Sequence, residues 1–508
     1  MNANKTLFSL TLIAILSTSC GKKSPENDPR FDGNRKMVQL LDSLSKAADP
    51  VVNFYLSAKR AERMRTHQPA FKSQFEKLMW NKTYYNELLN AGKTDEAAVG
   101  FNFLLTDANY APLLDKKMRN ELEQMLAVSY LRSGELQNCV VNHTSQSCIV
   151  PIQKEGQHKI RTGSENAIRT YLSILETTPD DLNSRWLLNI AAMTLGEYPQ
   201  AVPEKYRIPM ATFEGKGNEG KFKDRAIDLG LDIDGLAGGS IIEDFNNDGS
   251  LDIFCTSYGL TDQCHLFFNN NKGGFEEVTE SAQLMGITGG LNAKQADYDN
   301  DGWIDVYVGT GAFDFRTIVP NRMFRNVEGK YFEEVTMNGT GHLQKGHGIA
   351  FGDLDNDGDQ DIYSVMGGAY DGDNAKNILF ENPGPAGQWV SLSVDASTGN
   401  KAAYGSKLKL TVKMRDGSQR IVYSCINSGA TFGANSLRQE IGLGDAVQIE
   451  NVELLWALPG KKPLQFGSVP MNAHSTLVEK GLKVNTSKLE AHAFTATSAS
   501  GHEHHHGH

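Results

Sequence analysis

The sequence predicts an α + β multidomain protein, in which a helical-repeat domain precedes a β-propeller-like domain. Two observations predict this order. Apolar residues recur at three- and four-residue spacing from about residue 37 to residue 198, which is typical of helices. After residue 240, a short acidic motif occurs three times at similar intervals, each time before a β-rich run. The 508 residues are enough for several such domains.

The overall charge limits the class of partner. Lysines and arginines number 50 and aspartates and glutamates number 61, which gives a net charge of −11. A protein that binds nucleic acid needs a basic face. We therefore expect no nucleic-acid partner.

The N-terminus has the pattern of an export signal. Lys5 precedes a short apolar run at residues 7–16, and small residues at 17–19 precede Cys20. Because this run is too short to span a bilayer, residues 1–19 are interpreted as a signal peptide. Small residues before a cysteine resemble a bacterial lipobox, so Cys20 is the predicted lipidation site; an ordinary signal peptide is the alternative.

Residues 20–35 are polar and contain Pro and Gly, which predicts a flexible tether. A chain held by a lipid on Cys20 is attached to a membrane without spanning it. We expect an outer-membrane lipoprotein, on either the periplasmic or the cell-surface face.

Export places the cysteines in an oxidising compartment. Cys139 and Cys148 are nine residues apart, and so are Cys255 and Cys264. Both spacings favour local disulfides, although sequence alone does not fix the connectivity. Cys425 is then left over and is expected to be a buried thiol.

The helical domain is assigned to residues 36–205. Two stretches in it have the apolar and small residues of a tetratricopeptide-like helix pair, and an insertion at 138–162 separates them. Ser164 is the expected N-cap of the second helix. Such hairpins either expose a concave surface that binds a peptide or protein, or merely pack against the next domain. The matching residues are Leu126, Ala127, Tyr130 and Gly134 in the first helix and Ala167, Tyr171, Ile174 and Pro179 in the second.

The insertion also contains residues that bind metals in other proteins. Cys139, His143, Cys148 and His158 are a possible tetrahedral zinc set. Their spacing is not that of a zinc finger, and an oxidising compartment favours a disulfide between the two cysteines.

The strongest signal is the repeated acidic motif. It begins at Asp244, Asp297 and Asp353, which are 53 and 56 residues apart, and reads DFNNDGSLD, DYDNDGWID and DLDNDGDQD. We call residues 244–252 loop one, 297–305 loop two and 353–361 loop three. The first two copies lead into LFFNNNKGGFEEVT and MFRNVEGKYFEEVT, and the third leads into ILFENPGP. Repetition of strands and glycine-rich turns predicts propeller blades over residues 222–392, with four or five blades in all.

The oxygen donors in these loops suit a hard cation. Ca²⁺ takes six to eight oxygens, and alternate positions of a tight loop deliver them around a glycine at position six. A strand follows each loop where an EF-hand has a helix, so we expect three strand-loop-strand calcium sites; solvated acidic turns are the alternative. The predicted ligands are Asp244, Asn246, Asp248, Ser250 and Asp252 in loop one, Asp297, Asp299, Asp301, Trp303 and Asp305 in loop two, and Asp353, Asp355, Asp357, Asp359 and Asp361 in loop three, with Ser250, Trp303 and Asp359 giving their carbonyls.

These repeats resemble the FG-GAP/VCBS repeats of integrin-α-like propellers. Residues 393–482 resemble the ASPIC/UnbV module of the cartilage acidic protein family, and bacterial members of that family have a similar helical N-terminal half. The resemblance covers about residues 222–480 and implies a calcium-binding propeller used for adhesion or assembly, with no settled catalytic reaction. The residues that carry the second resemblance are Gly442, Leu443, Gly444, Trp456, Pro459, Gly460 and Lys461.

Two groups of histidines suggest other functions. His342 and His347 precede loop three and are candidates for acid–base chemistry beside Asp353 at the propeller mouth, or they only shape a loop. Residues 483–508 have the composition of a disordered tail, and an expression tag is the alternative interpretation. Its histidines are candidate ligands for Zn²⁺, Cu²⁺ or Ni²⁺, namely His502, His504, His505, His506 and His508.

The leading functional prediction is a calcium-binding envelope lipoprotein that acts as a scaffold and binds a protein or glycan of the envelope. The alternatives are a transition-metal-handling protein that uses the histidine-rich tail, and a hydrolase with its site at the propeller mouth. We expect a binding protein rather than an enzyme.

Overall fold

The computed structural model describes residues 28–213, 222–259, 261–310, 319–368, 372–384, 387–429 and 432–495. Within these ranges helices precede strands, which confirms the predicted α + β order. None of the helices described is long and apolar enough to cross a membrane. The helices are α1 (Asp32–Ala47), α2 (Ser57–Thr66), α3 (Gln74–Asn90), α4 (Thr94–Thr106), α5 (Lys116–Glu135), α6 (Thr162–Thr177), α7 (Leu182–Thr194) and α8 (Ala226–Leu229).

Helices α2–α7 pack one after another. Ser73 and Asp115 cap α3 and α5 by accepting hydrogen bonds from backbone N–H groups of the first turn. Helices α5 and α6 approach closely, because a Cβ on Gly163 would lie 2.6 Å from the backbone nitrogen of Gly134. The insertion joins these two helices.

The buried faces of α5 and α6 agree with the predicted pattern. Leu126, Ala127, Ala167, Tyr171 and Ile174 are all buried. The predicted N-cap at Ser164 is wrong. Helix α6 begins at Thr162, and the buried Ser164 hydroxyl instead bonds to His158 Nδ1 and Thr194 Oγ1, both at 2.8 Å.

Helix α1 packs on the β domain. Asn34 Oδ1 accepts a hydrogen bond from the backbone N–H of Glu334 at 3.0 Å, and Val38 packs against the apolar core of the first two blades. Ahead of the helix, Arg30 donates to the Tyr331 hydroxyl and Phe31 packs edge-on against the same ring. The tether predicted for residues 20–35 is therefore wrong for residues 28–35, which are ordered against the β domain.

Five sheets form the β-propeller-like region. The first three sheets, which we call the first, second and third blades, are antiparallel meanders, and their inner strands β1, β5 and β9 lie next to one another. The three sheets are β1 (Ser240–Glu243), β2 (Asp252–Cys255), β3 (His265–Asn269) and β4 (Phe275–Glu277); β5 (Asn292–Ala296), β6 (Asp305–Gly309), β7 (Arg322–Val327) and β8 (Tyr331–Glu334); and β9 (Gly346–Gly352), β10 (Asp361–Met366) and β11 (Ile378–Phe380).

The last two sheets pack around one shared apolar core, to which Leu392, Leu410 and Ile449 belong. We call residues 387–487 the C-terminal module. In one sheet the order is β14-β13-β16-β17, and in the other it is β15-β12-β18-β19, where β12 and β18 are parallel. The strands are β12 (Gln388–Asp395), β13 (Lys407–Met414), β14 (Gln419–Cys425), β15 (Gln439–Gly444), β16 (Ala446–Leu455), β17 (Leu464–Gly467), β18 (His474–Val478) and β19 (Lys483–Ser487).

Two predicted boundaries need correction. The boundary at 392/393 falls inside β12, which pairs with β15 and β18 of the C-terminal module. The tail predicted to be disordered from 483 begins with β19, which pairs with β18. Both errors have the same physical reason. A strand next to a predicted domain boundary is stabilised by pairing with distant strands, and its own sequence does not show which domain contains those partners.

The five cysteines in the described ranges are free thiols. Cys255 lies opposite His265 across β2 and β3, so these two side chains share one face of the sheet and Cys264 points to the other. The predicted bridge between Cys255 and Cys264 is therefore wrong. Cys139 Sγ lies 3.4 Å from His158 Nε2, and a bridge between Cys139 and Cys148 stays a prediction. Cys425 is a buried thiol, as predicted.

A candidate metal centre in three loops

The three loops have the same backbone, because the same side chains bond to the same amides. We number the positions of each loop from its first aspartate, so that the loop runs from position one to position nine. A side-chain oxygen at position three accepts a hydrogen bond from the backbone N–H of position five, and a side-chain oxygen at position five accepts one from the N–H of position seven. In loop two these acceptors are Asp299 and Asp301. Short polar side chains favour such turns, so alternate carboxylates are drawn toward the inside of each loop.

The aspartate at position nine connects each loop to its blade. One carboxylate oxygen of Asp305 accepts from the N–H of Tyr298 at 3.2 Å, and the other accepts from the N–H of Asn326 at 2.7 Å. Asp252 and Asp361 make the equivalent pairs in loops one and three. Position nine therefore orients the loop on the sheet as well as offering oxygen to a cation.

The sequence analysis did not identify one asparagine that supports the loop in each of the first three blades. Asn269, Asn326 and Asn382 supply the N–H groups bound by position nine. The Asn326 side chain also donates to the carbonyl of Phe245 in loop one, and Asn382 donates to that of Tyr298 in loop two, both at 2.9 Å. The signal was present, because each of the three β-rich runs contains an asparagine after its aromatic residue.

Asparagines at position four connect the loops in series. Asn247 Nδ2 donates to the carbonyl of Gly302 at 3.2 Å, and Asn300 Nδ2 donates to that of Gly358 at 2.9 Å. These asparagines have φ of 58° and 56°, in the left-handed region that asparagine tolerates better than most residues. Position four thus links loop one to Gly302 of loop two, and loop two to Gly358 of loop three.

The donors present fit a hard cation. In loop two, ligand oxygens of Asp297, Asp299 and Asp305 lie within 4.8 Å of one another, and Asp353, Asp355 and Asp357 form the same kind of group in loop three. One carboxylate oxygen of Asp297 and one of Asp353 are buried without a hydrogen-bond partner. A buried carboxylate oxygen without a partner is costly unless a cation binds it. In loop one the third position is Asn246, an amide that also suits calcium.

Burial raises the pKa of several loop carboxylates. The pKa of Asp244 rises to about 6 and that of Asp252 to about 7, because burial disfavours the charged form. Burial also raises the pKa of Asp301 to about 6, and that of Asp297 and Asp305 well above its usual range, with neighbouring aspartates adding to the effect. A cation therefore competes with protons at these loops.

Asp359 differs from its predicted role. Its carbonyl was the expected ligand, but its side chain is 1% exposed and neither carboxylate oxygen has a partner. Burial raises the pKa of this carboxyl to about 7, and the other aspartates of loop three act in the same direction. Loop three therefore has a fifth carboxylate.

The predicted histidine pair is not assembled beside Asp353. His347 lies near the start of β9 and Asp353 directly after its end, so the strand separates them by about 20 Å. The His347 ring packs edge-on against Phe432, which belongs to a segment of the C-terminal module that crosses the inner strands. His342 lies on the exposed approach to β9. The acid–base site at the mouth is therefore not formed.

Other predicted residues lie outside the described ranges. These are Cys20 and the histidines of the tail, His502, His504, His505, His506 and His508. Their lipidation and metal binding stay predictions.

The fold and the loops together define a β-propeller-like repeat protein with acidic loops and a C-terminal β module. Two family models match the chain: the FG-GAP-like repeat at residues 244–308, and ASPIC and UnbV at residues 396–484. These matches confirm the resemblance derived from the loop motif and the Gly442–Gly444 segment. No curated protein matches the chain. This combination of modules indicates a binding scaffold at a surface.

Proposed function

We propose that the protein is a calcium-binding envelope lipoprotein, whose three metal loops hold a rigid scaffold for a protein or glycan partner. The observation that carries the calcium part is the repeated donor set with buried, unpartnered oxygens at Asp297 and Asp353. Oxygen-only donor sets of this kind suit calcium better than transition metals. When bound, the cation offsets the mutual repulsion of the loop carboxylates.

Calcium titration calorimetry tests this part. The sample is the chain from residue 20 onward carrying Cys20→Ser, freed of metal with EGTA. We expect binding at about three sites, with Mg²⁺ bound more weakly because it demands tighter octahedral geometry. A chain that takes up no calcium would contradict the proposal.

Terbium luminescence adds a local readout. Tb³⁺ is an oxygen-seeking ion of nearly the size of Ca²⁺, and an indole close to it transfers excitation energy. Trp303 occupies position seven of loop two. We expect sensitised emission that calcium displaces, with a smaller amplitude in Trp303→Phe. Equal amplitude in that variant would place the ion elsewhere.

The scaffold part rests on the two modules and on the export pattern before Cys20. Incorporation of a fatty-acid analogue into the wild-type chain, and its loss in Cys20→Ser, tests the lipid anchor. Crosslinking on intact cells, followed by capture of the protein in parallel with calcium and with EGTA, tests whether an envelope partner binds and whether its binding depends on calcium. A glycan panel probed in the same two buffers separates a glycan ligand from a protein ligand.

A further inference from the structure

The C-terminal module lies directly against the three metal loops. At position six of each loop, a Cβ would overlap or crowd a side chain of that module, and φ at these glycines is 90°, 87° and 103°. Glycine is therefore required twice over, by the turn and by the close approach. The contacts pair Gly249 with Tyr423, Gly302 with Arg420 and Gly358 with Trp389.

Loop two makes the most direct contact. The N–H of Gly442 donates to Asp297 Oδ2 at 2.9 Å, and the N–H of Gly444 donates to the carbonyl of Asn300 at 2.9 Å. Arg420 Nη1 donates to the carbonyl of Asp301 at 2.8 Å. A Cβ on Gly442 would overlap Asp297 Oδ2, so only glycine allows this approach.

Loops one and three are contacted in the same manner. The N–H of Tyr423 donates to Asn247 Oδ1 at 2.7 Å. Arg438 Nη2 donates to the carbonyl of Asp353 at 2.9 Å, and directly after the module the N–H of His492 donates to the carbonyl of Asp355 at 2.9 Å. These three contacts engage a backbone carbonyl or an asparagine, and the contact of Gly442 engages only Oδ2 of Asp297, so the module leaves the other inner carboxylate oxygens for a cation.

We infer that the C-terminal module docks on the metal loops as their second wall, so that calcium binding and docking stabilise each other. This inference rests on the proposed calcium function and assigns a role to the Gly442–Gly444 segment: it holds the first ligand of loop two. Because Asp297 Oδ2 is held by two N–H groups, from Gly302 and Gly442, its Oδ1 is pre-oriented toward the loop. Pre-orientation lowers the entropy cost of binding.

Gly442→Ala tests the inference without removing a ligand, because the alanine only pushes the module away from loop two. Its φ lies outside the left-handed region, so alanine adds no backbone strain of its own, and its Cβ acts on loop two through the overlap with Asp297 Oδ2 and with the Asn300 backbone. The matched control is Gly33→Ala, where a Cβ meets open space. We expect calcium affinity at loop two, read from the part of the terbium emission that Trp303→Phe removes, to fall by at least about fivefold in Gly442→Ala. The control should match wild type, and wild-type affinity in a folded Gly442→Ala would overturn the inference.

Hydrogen exchange of the wild-type chain provides a test that needs no variant. On addition of calcium, amides of β14, β15 and the segment between them should gain protection together with the loops, because coupling is reciprocal. Protection confined to residues 244–252, 297–305 and 353–361 would overturn docking linkage while leaving calcium binding intact. If neither calcium nor terbium binds, the proposed function fails, and the inference fails with it.

Discussion

Loops two and three have the same motif but different electrostatic surroundings. In loop two, Arg325 pairs with Asp299 at 2.6 Å and with Asp301 at 3.0 Å. The residue at the equivalent position of the third blade is Glu381, and loop three also has the buried Asp359 carboxylate. Arg438 lies 3.9 Å from Asp353 but pairs more closely with Glu440. The shared positions of the repeat therefore fix the geometry of a site, while its variable positions set the charge of the site.

The largest expected effect is the loss of calcium-induced stability when one ligand is removed from loop two or from loop three. Calcium at a hundredfold excess over the Kd of one site stabilises by about 2.7 kcal/mol, which is a Tm rise of roughly 5–10 °C for a domain of this size. We expect Asp355→Ala to remove more of the calcium-induced rise than Asp299→Ala, because affinity grows with ligand charge. Thermal melts with calcium and with EGTA measure this. The reverse order would break the comparison.

The second effect concerns the link between the loops. Asn300 and Asn356 share the left-handed conformation, but the Asn300 side chain bonds to Gly358. Asn300→Ala should cost about 1–3 kcal/mol more than Asn356→Ala, because it leaves a buried carbonyl unpaired. Urea unfolding of both variants in calcium measures the difference, and alanine at either position carries the same backbone penalty. Equal costs would show that the link contributes nothing to stability.

The third effect sharpens the role of Arg325. Arg325→Gln should raise the calcium affinity of loop two by about threefold to tenfold, because a positive charge beside two ligands opposes a dication. Arg415→Gln removes the same charge from an exposed hairpin and serves as the control. Terbium competition at low salt reads the affinity. A fall in affinity would mean instead that Arg325 orders the carboxylates for the ion.

The smallest effect is the pH dependence. A raised pKa means that the metal-free fold prefers the protonated carboxyl, so its stability falls as the pH rises through about 6 to 7. Calcium needs the ionised form, so its stabilising effect grows over the same range. Melts between about pH 5 and pH 8 should show a calcium-induced Tm rise that increases with pH. A pH-independent rise would show that these carboxyls are not the ligands.

Much of this could be predicted from the sequence, because the determinants are local. The loop motif places carboxylates at alternate positions, and helical periodicity marks α5 and α6. The predictions that were wrong concern segments whose partners lie far along the chain. The segment at residues 28–35 is held by contact with Tyr331, and β12 is held by pairing with β15 and β18. The bridge between Cys255 and Cys264 failed because spacing along a chain does not say which face of a sheet a side chain takes.

The contact of Arg30 and Phe31 with Tyr331 has a consequence for orientation at a membrane. Cys20 and Asp28 are eight positions apart in the sequence, and a fully extended chain covers about 3.5 Å per position, so their Cα atoms lie within roughly 28 Å of each other. If Cys20 carries a lipid, the chain between Cys20 and Asp28 holds the outer strand of the second blade, β8, close to the bilayer. The β domain would then be attached to the membrane through residues 28–31, which precede helices α2–α7 along the chain.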